Sequence, residues 1–261
     1  MSATPKKVKK TVSFSRNSPS LSDRNPSTEP GSPVAESGFD FADDEPQIHE
    51  LPKPSPAFLL LPFHSLAIVY ALFYHYNISS KVISALHSST LAVLTLQFGF
   101  GLITLTTIKN KKRAKKHRGP NGGELMYLVI SSLISGFAAV PIFLVLLVFG
   151  APIGSLSEET AFLALHLSFL TVFPLLLVYK FTDPDSGDTW IRLLTFQVPA
   201  FYRNQIYLQA MGALVGCWFG VIPIPLDWDR DWQQWPITLL AGAYVGSFAG
   251  SLIGYLYSIF E

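Results

Sequence analysis

The chain has 261 residues, of which 49% are apolar and only 14% charged, with a formal net charge of +1 and a single cysteine. The near-zero sum hides a segregated distribution: Asp, Glu, Lys and Arg are absent from 54–80, 82–108, 125–149, 160–179, 204–226 and 232–260. Six uncharged runs of this length exclude a water-soluble globule, whose helices carry a charged face. Each approaches or exceeds the roughly 20 residues that cross a bilayer as a helix. Cys217 lies alone in an apolar run, so no intrachain disulfide forms, and it reads as a small packing residue.

Residues 1–54 are rich in Ser, Pro and charge, basic at Lys6, Lys7, Lys9 and Lys10 and acidic from Asp40 to Glu50. Such a composition buries too little apolar surface to offset its ordering entropy, which predicts a disordered tail. The basic start has no apolar core behind it and does not resemble a signal peptide. The spans are expected at about 57–76, 82–108, 125–149, 161–179, 205–225 and 236–257, giving an all-α membrane protein of six transmembrane helices over 55–261. Pro141 and Pro174 fall inside spans three and four, where proline is expected to break or kink a helix.

The block Lys109–Arg118 suits nucleic acid in a soluble protein but, between two spans, reads as a loop retained in the cytoplasm. Orientation follows the basic residues. With that loop cytoplasmic, both termini and the 180–204 segment are cytoplasmic too, and of the 19 Lys and Arg only Lys81 and Arg230 face the other side. No nucleic-acid partner is expected.

The last quarter organises the chain. Gly212, Gly216 and Gly220 on the fifth span, and Gly242, Gly246, Gly250 and Gly254 on the sixth, recur every fourth residue and so line one helix face. Such stripes let helices approach closely in lipid. They serve packing within the subunit, docking of a partner's helix, or both, with Gly216 expected opposite Gly246 and Gly212 opposite Gly250. Between them runs Pro223-Ile224-Pro225-Leu226-Asp227-Trp228-Asp229-Arg230-Asp231-Trp232-Gln233-Gln234-Trp235-Pro236. Trp228, Trp232 and Trp235 suit a membrane interface. Asp227, Asp229 and Asp231 with Arg230 allow three readings. These are a structural or docking turn, with an Arg–Asp ion pair fixing it; lipid-headgroup or phosphate binding by Arg230; and a divalent-metal site. No histidine or cysteine cluster accompanies the aspartates, and no catalytic residue, metal ligand or cofactor site is assigned. His64, His75, His87 and His166, near or within spans, do not fall at metal-ligand spacing.

The run Gly212–Gly220, with Ile224-Pro225-Leu226-Asp227-Trp228-Asp229-Arg230 and Trp232-Gln233-Gln234-Trp235-Pro236, closely resembles the C-terminal signature of the PIG-F family. The tail and basic second loop resemble fungal members. The resemblance implies a multi-pass endoplasmic-reticulum protein of glycosylphosphatidylinositol (GPI) anchor biosynthesis among ER membrane lipids. It implies an accessory subunit, without enzyme activity of its own, that stabilises the large ethanolamine phosphate transferases of the PIG-O and PIG-G type. A transferase in its own right and a lipid transporter are the alternatives. On this reading Gly212, Gly216, Gly220, Asp227, Trp228, Asp229, Arg230, Trp232, Trp235, Gly242, Gly246 and Gly250 are the candidate partner- or lipid-docking residues.

Overall fold

The computed structural model describes residues 57–112, 122–182, 186–198, 201–226 and 228–260. The expected disordered tail, the basic loop beyond Lys112 and Asp227 lie outside them. Among the described residues the fold is helical throughout. A short 3-10 turn, Phe58–Leu60, leads into α1 (Phe63–Tyr70), whose last turn widens into a π-helical segment, Ala71–His75. There follow α2 (Val82–Lys112), α3 (Gly122–Val148), α4 (Ser157–Val178), α5 (Ser186–Leu194), α6 (Gln205–Phe219) and α7 (Ile237–Phe260).

Among the described residues five stretches are long and apolar enough to cross a membrane: Phe58–His75, Val82–Ile108, Gly122–Val148, Ser157–Val178 and Ile237–Phe260. The fifth expected span, 205–225, is the exception. Its helix stops at Phe219, and 15 residues reach only about 22 Å at 1.5 Å per residue, against a hydrocarbon core of about 30 Å. The cause is local. Pro223 and Pro225 offer no N–H, and each disfavours the α conformation of the isoleucine before it. The chain continues instead in tight turns, Val221 N–H to Trp218 O and Ile222 N–H to Phe219 O, both 3.1 Å. Two further expectations change. α2 runs four residues past the uncharged stretch into the basic block, and α3 and α4 pass through Pro141 and Pro174 without a break.

α4 is the hub, packing against α2, α3, α6 and α7. It is buried around most of its circumference, so its polar groups need partners inside the protein. Ser168 Oγ donates to Ser135 O on α3, Tyr127 OH donates to Leu176 O (2.7 Å), and His166 Nδ1 pairs with Tyr244 OH on α7 (2.8 Å). α3 packs on α4 but leaves Leu133, Phe137, Val140 and Val148 exposed. In an apolar membrane these need no cover.

Two apolar clusters divide the bundle, the larger running from Ile78 at one end to Leu170, Ala213 and Tyr244 in its middle. Near one end Ile78 joins a cluster against which Val82, Ile224 and Trp235 pack. At the other, Leu60, Tyr179, Leu193, Val198 and Tyr207 come together. The 57–60 and 179–207 regions therefore share one end, and the hairpin loop sits with 78–82 at the opposite one.

Candidate docking surface on the C-terminal hairpin

α6 and α7 form the most extensive helix–helix contact in the fold. Their glycines face one another, which settles the register at atomic detail. A methyl group at Gly212 would strike the Gly246 carbonyl oxygen and lie 3.0 Å from the Gly250 Cα. One at Gly216 would strike the Gly242 carbonyl oxygen and lie 2.9 Å from the Gly246 Cα. At the loop end, a methyl on Gly220 would meet Thr238 O and come within 2.6 Å of the Leu239 Cα. From the other side, Gly242, Gly246 and Gly250 would strike the carbonyl oxygens of Gly216, Gly212 and Leu208. Gly254 extends the same contact, 2.7 Å from the Gln205 Cα. The stripes are occupied by each other's backbone, so the hairpin is a rigid two-helix plank.

What the plank presents outward is different in character. Leu214, Val215, Trp218 and Phe219 on α6 and Val245 and Ile253 on α7 are exposed and apolar. Cys217 is buried. The base of α6 is pinned where the chain enters it. Asn204 caps the helix by accepting from Tyr207 N–H (3.1 Å) and donates to Tyr179 OH. Gln205 donates to Ser251 Oγ (3.2 Å) and to Ala57 O (3.3 Å), tying α6, α7 and the start of the first span together.

The loop is held by a residue that the sequence reading quoted without assigning a role. Gln233 accepts the Arg230 backbone N–H at its Oε1 (2.8 Å) and donates from Nε2 to Pro223 O (2.7 Å) and Leu226 O (2.8 Å). One amide thus ties both limbs of the loop, adding a second hydrogen bond to carbonyls that already accept from Leu226 N–H and Trp228 N–H. Its signal in sequence is weak, because a Gln beside tryptophans reads as any interfacial polar residue. Trp235 is the second anchor: its indole N–H donates to Thr160 Oγ1 at the start of α4 (3.0 Å). Trp235 and Trp232 are partly buried, whereas Trp228 is 54% exposed and packs 5.8 Å from the Trp232 ring.

Asp229, Arg230 and Asp231 all point to the surface. The expected Arg–Asp ion pair is not formed among the described residues; Gln233 does that work. Asp229 has a left-handed backbone (φ 45°), a conformation that aspartate tolerates better than most residues. Among the described residues, no three His, Cys, Asp or Glu side chains gather as a metal-ligand set. His87 is instead paired with Glu158 at 2.7 Å, joining the starts of α2 and α4 at the exposed rim. The braced loop therefore exposes a tryptophan, two aspartates and an arginine.

The model of the GPI biosynthesis protein family Pig-F matches residues 60–255, which includes the hairpin and its loop. Among curated proteins, the Glycosylphosphatidylinositol anchor biosynthesis protein 11 of Debaryomyces hansenii is 38% identical over 212 residues, 80% of this chain and 86% of that protein. The proteins of the same name from Candida albicans and Yarrowia lipolytica are 30% identical, over the full length of both chains, and 33% identical, over 78% of this chain and 85% of that one. No solved structure matches the chain. The family model covers most of the chain and these relatives match 78% of it or more, so the chain belongs to the Pig-F family of GPI biosynthesis proteins.

Proposed function

We propose that this chain is a non-catalytic subunit of GPI-anchor biosynthesis in the endoplasmic-reticulum membrane. It binds and stabilises the large ethanolamine phosphate transferases of the PIG-O and PIG-G type, which act on mannoses of the GPI precursor. The observation that carries the reading is the division of labour in the hairpin. Its glycines are spent on backbone packing, and that rigid frame displays Trp228, Asp229, Arg230 and Asp231 outward. Exposed Trp and Arg on a rigid support are the residue types that dominate protein–protein binding energy. The apolar faces of α6 and α7 beside the loop, Trp218 and Phe219 included, suit a partner's membrane helices.

The test is co-purification from native membranes of the tagged chain carrying Trp228→Ala and Arg230→Ala together. Loss of two such anchors, together worth about 1.4 kcal/mol or more, lowers transferase recovery by about tenfold or more. The chain's own abundance stays unchanged, because both side chains are exposed. Undiminished transferase recovery with this double variant would overturn the reading. Ethanolamine phosphate transfer by the purified chain alone would replace it with the enzyme alternative.

A further inference from the structure

The segment between α4 and α6 is short, charged at its start and easily taken for a simple connector. Its geometry says more. α5 advances about 100° per residue, which sorts its side chains into three sectors. Leu193 is buried in the end cluster with Tyr179, Val198 and Tyr207, and Trp190 packs against the same cluster. The Trp190 indole N–H donates to Tyr179 O (3.2 Å), and its ring stacks on Phe181 at 4.8 Å. That sector faces the protein. Asp188 and Arg192, paired at 2.7 Å, occupy a second sector with Thr189. The third sector holds Ile191 and Leu194, 61% and 72% exposed. It lies on the far side of the protein-facing sector from the charged pair.

A helix with one face on protein, one polar and one apolar and bare is built for a boundary between two solvents. The position of α5 supplies that boundary. It follows the end of α4 and precedes the start of α6, and its core residues belong to the cluster that closes that end of the bundle. It therefore lies where the membrane-crossing helices leave the hydrocarbon.

The turn after α5 gives a second, independent observation. Gln197 N–H bonds to Arg192 O (2.9 Å), and the residue before Gln197, Phe196, is left-handed (φ 59°). This is the helix-ending turn in which glycine is usual. Phenylalanine there is strained, and an observed strained residue is a pointer to function. The strained turn holds Phe196 on the surface, 66% exposed, beside Leu194.

We infer that α5 and its terminal turn form an interfacial anchor, with Ile191, Leu194 and Phe196 inserted among the lipids of the adjacent leaflet and the Asp188–Arg192 pair at its aqueous surface. The partner is the lipid bilayer itself, and no second protein is required.

The test uses the full chain reconstituted in phosphatidylcholine vesicles, with single cysteines in a Cys217→Ala background carrying an environment-sensitive fluorophore. Labels at Ile191→Cys, Leu194→Cys and Phe196→Cys emit at shorter wavelength than one at Asp188→Cys. They are also quenched by lipid bearing a spin label near the headgroup, and iodide quenches them roughly threefold less than the Asp188→Cys label. Iodide quenching equal at all four positions would overturn the inference. So would labels shielded from iodide yet untouched by the spin-labelled lipid, which would mean a protein cover. A second measurement needs no substitution: a photoreactive acyl chain in the same vesicles forms adducts on the peptide containing Ile191 to Phe196. In Phe196→Gly, which relieves the turn, adducts at that residue disappear. No adducts on this peptide in the unmodified chain would again overturn it.

Discussion

At Gly246 a side chain would collide with backbone, which cannot rotate away: the Gly212 carbonyl oxygen, and the Gly216 Cα at 2.9 Å. Gly136, midway along α3, has nothing within 4 Å of an added methyl. The two glycines therefore respond oppositely to substitution. Gly246→Leu must force α6 from α7, an overpacking cost of about 3 kcal/mol or more. Gly136→Ala removes only backbone freedom from a helix and gains about 0.5–1 kcal/mol. Thermal unfolding in detergent, followed by loss of monodisperse elution, separates them: a clear drop for the first, no drop or a small rise for the second. An unchanged midpoint for Gly246→Leu would contradict the backbone packing. The same contrast explains what can be read from glycine in sequence. Spacing of four identified the stripe correctly, but the tight fit at Gly101, where a methyl would lie 2.6 Å from Leu128 Cδ1 and 2.8 Å from Phe173 Cζ, is against side chains, belongs to no repeat and leaves no pattern.

Among the elements, the loop between α6 and α7 depends on two side chains for its shape. Gln233 makes three hydrogen bonds to the backbone, each worth about 1 kcal/mol net. Gln233→Ala leaves α6 and α7 packed, because their glycine contact lies elsewhere, but frees both limbs of the loop. Hydrogen exchange should then accelerate by about tenfold or more at the Arg230 amide and its neighbours, with α7 amides such as Tyr244 unaffected. Equal protection in both proteins would show that the prolines alone fix the loop. This element also shows where sequence reading stops. Apolar runs and the glycine register are periodic or compositional, and they were legible. The end of α6 at Phe219 was not, because Val221, Ile222, Ile224 and Leu226 keep the run apolar while Pro223 and Pro225 end the helix. The Gln233 brace and the Trp235–Thr160 bond join residues whose partners are set only by tertiary packing. Among the described residues the expected Arg230–Asp pair is not formed with Asp229 or Asp231, and a neutral amide braces the backbone there. α5 was hidden, since its nine residues carry little periodic signal.

For the molecule as a whole, the short α6 bears directly on topology. Five stretches qualify as spans by length and apolarity, and an odd number of crossings would put α5 and the hairpin loop on the same side. We propose six, on the packing. Tyr207, near the start of α6, belongs to the end cluster with Leu60 and Tyr179, whereas Ile224 and Trp235, beyond its far end, pack with the cluster that holds Ile78. The path from Gln205 to Leu226 thus traverses the bundle, its helical part about 22 Å long and the remainder made of apolar turns. Those turns keep backbone groups bonded within themselves, Ile224 N–H to Val221 O at 3.1 Å and Leu226 N–H to Pro223 O at 3.2 Å, as low-dielectric surroundings require. On that proposal Asp188 and Arg230 lie on opposite faces, and the basic residues of the sequence assign the face of Asp188 to the cytoplasm. In sealed native microsomes with the cytoplasmic side outward, a membrane-impermeant maleimide should label Asp188→Cys at once and Arg230→Cys only after permeabilisation. Both residues are exposed in the fold, so access through the membrane, not burial, decides the result. Labelling of both without permeabilisation would mean that α6 enters and leaves on one face, and the docking loop would then lie on the cytoplasmic side.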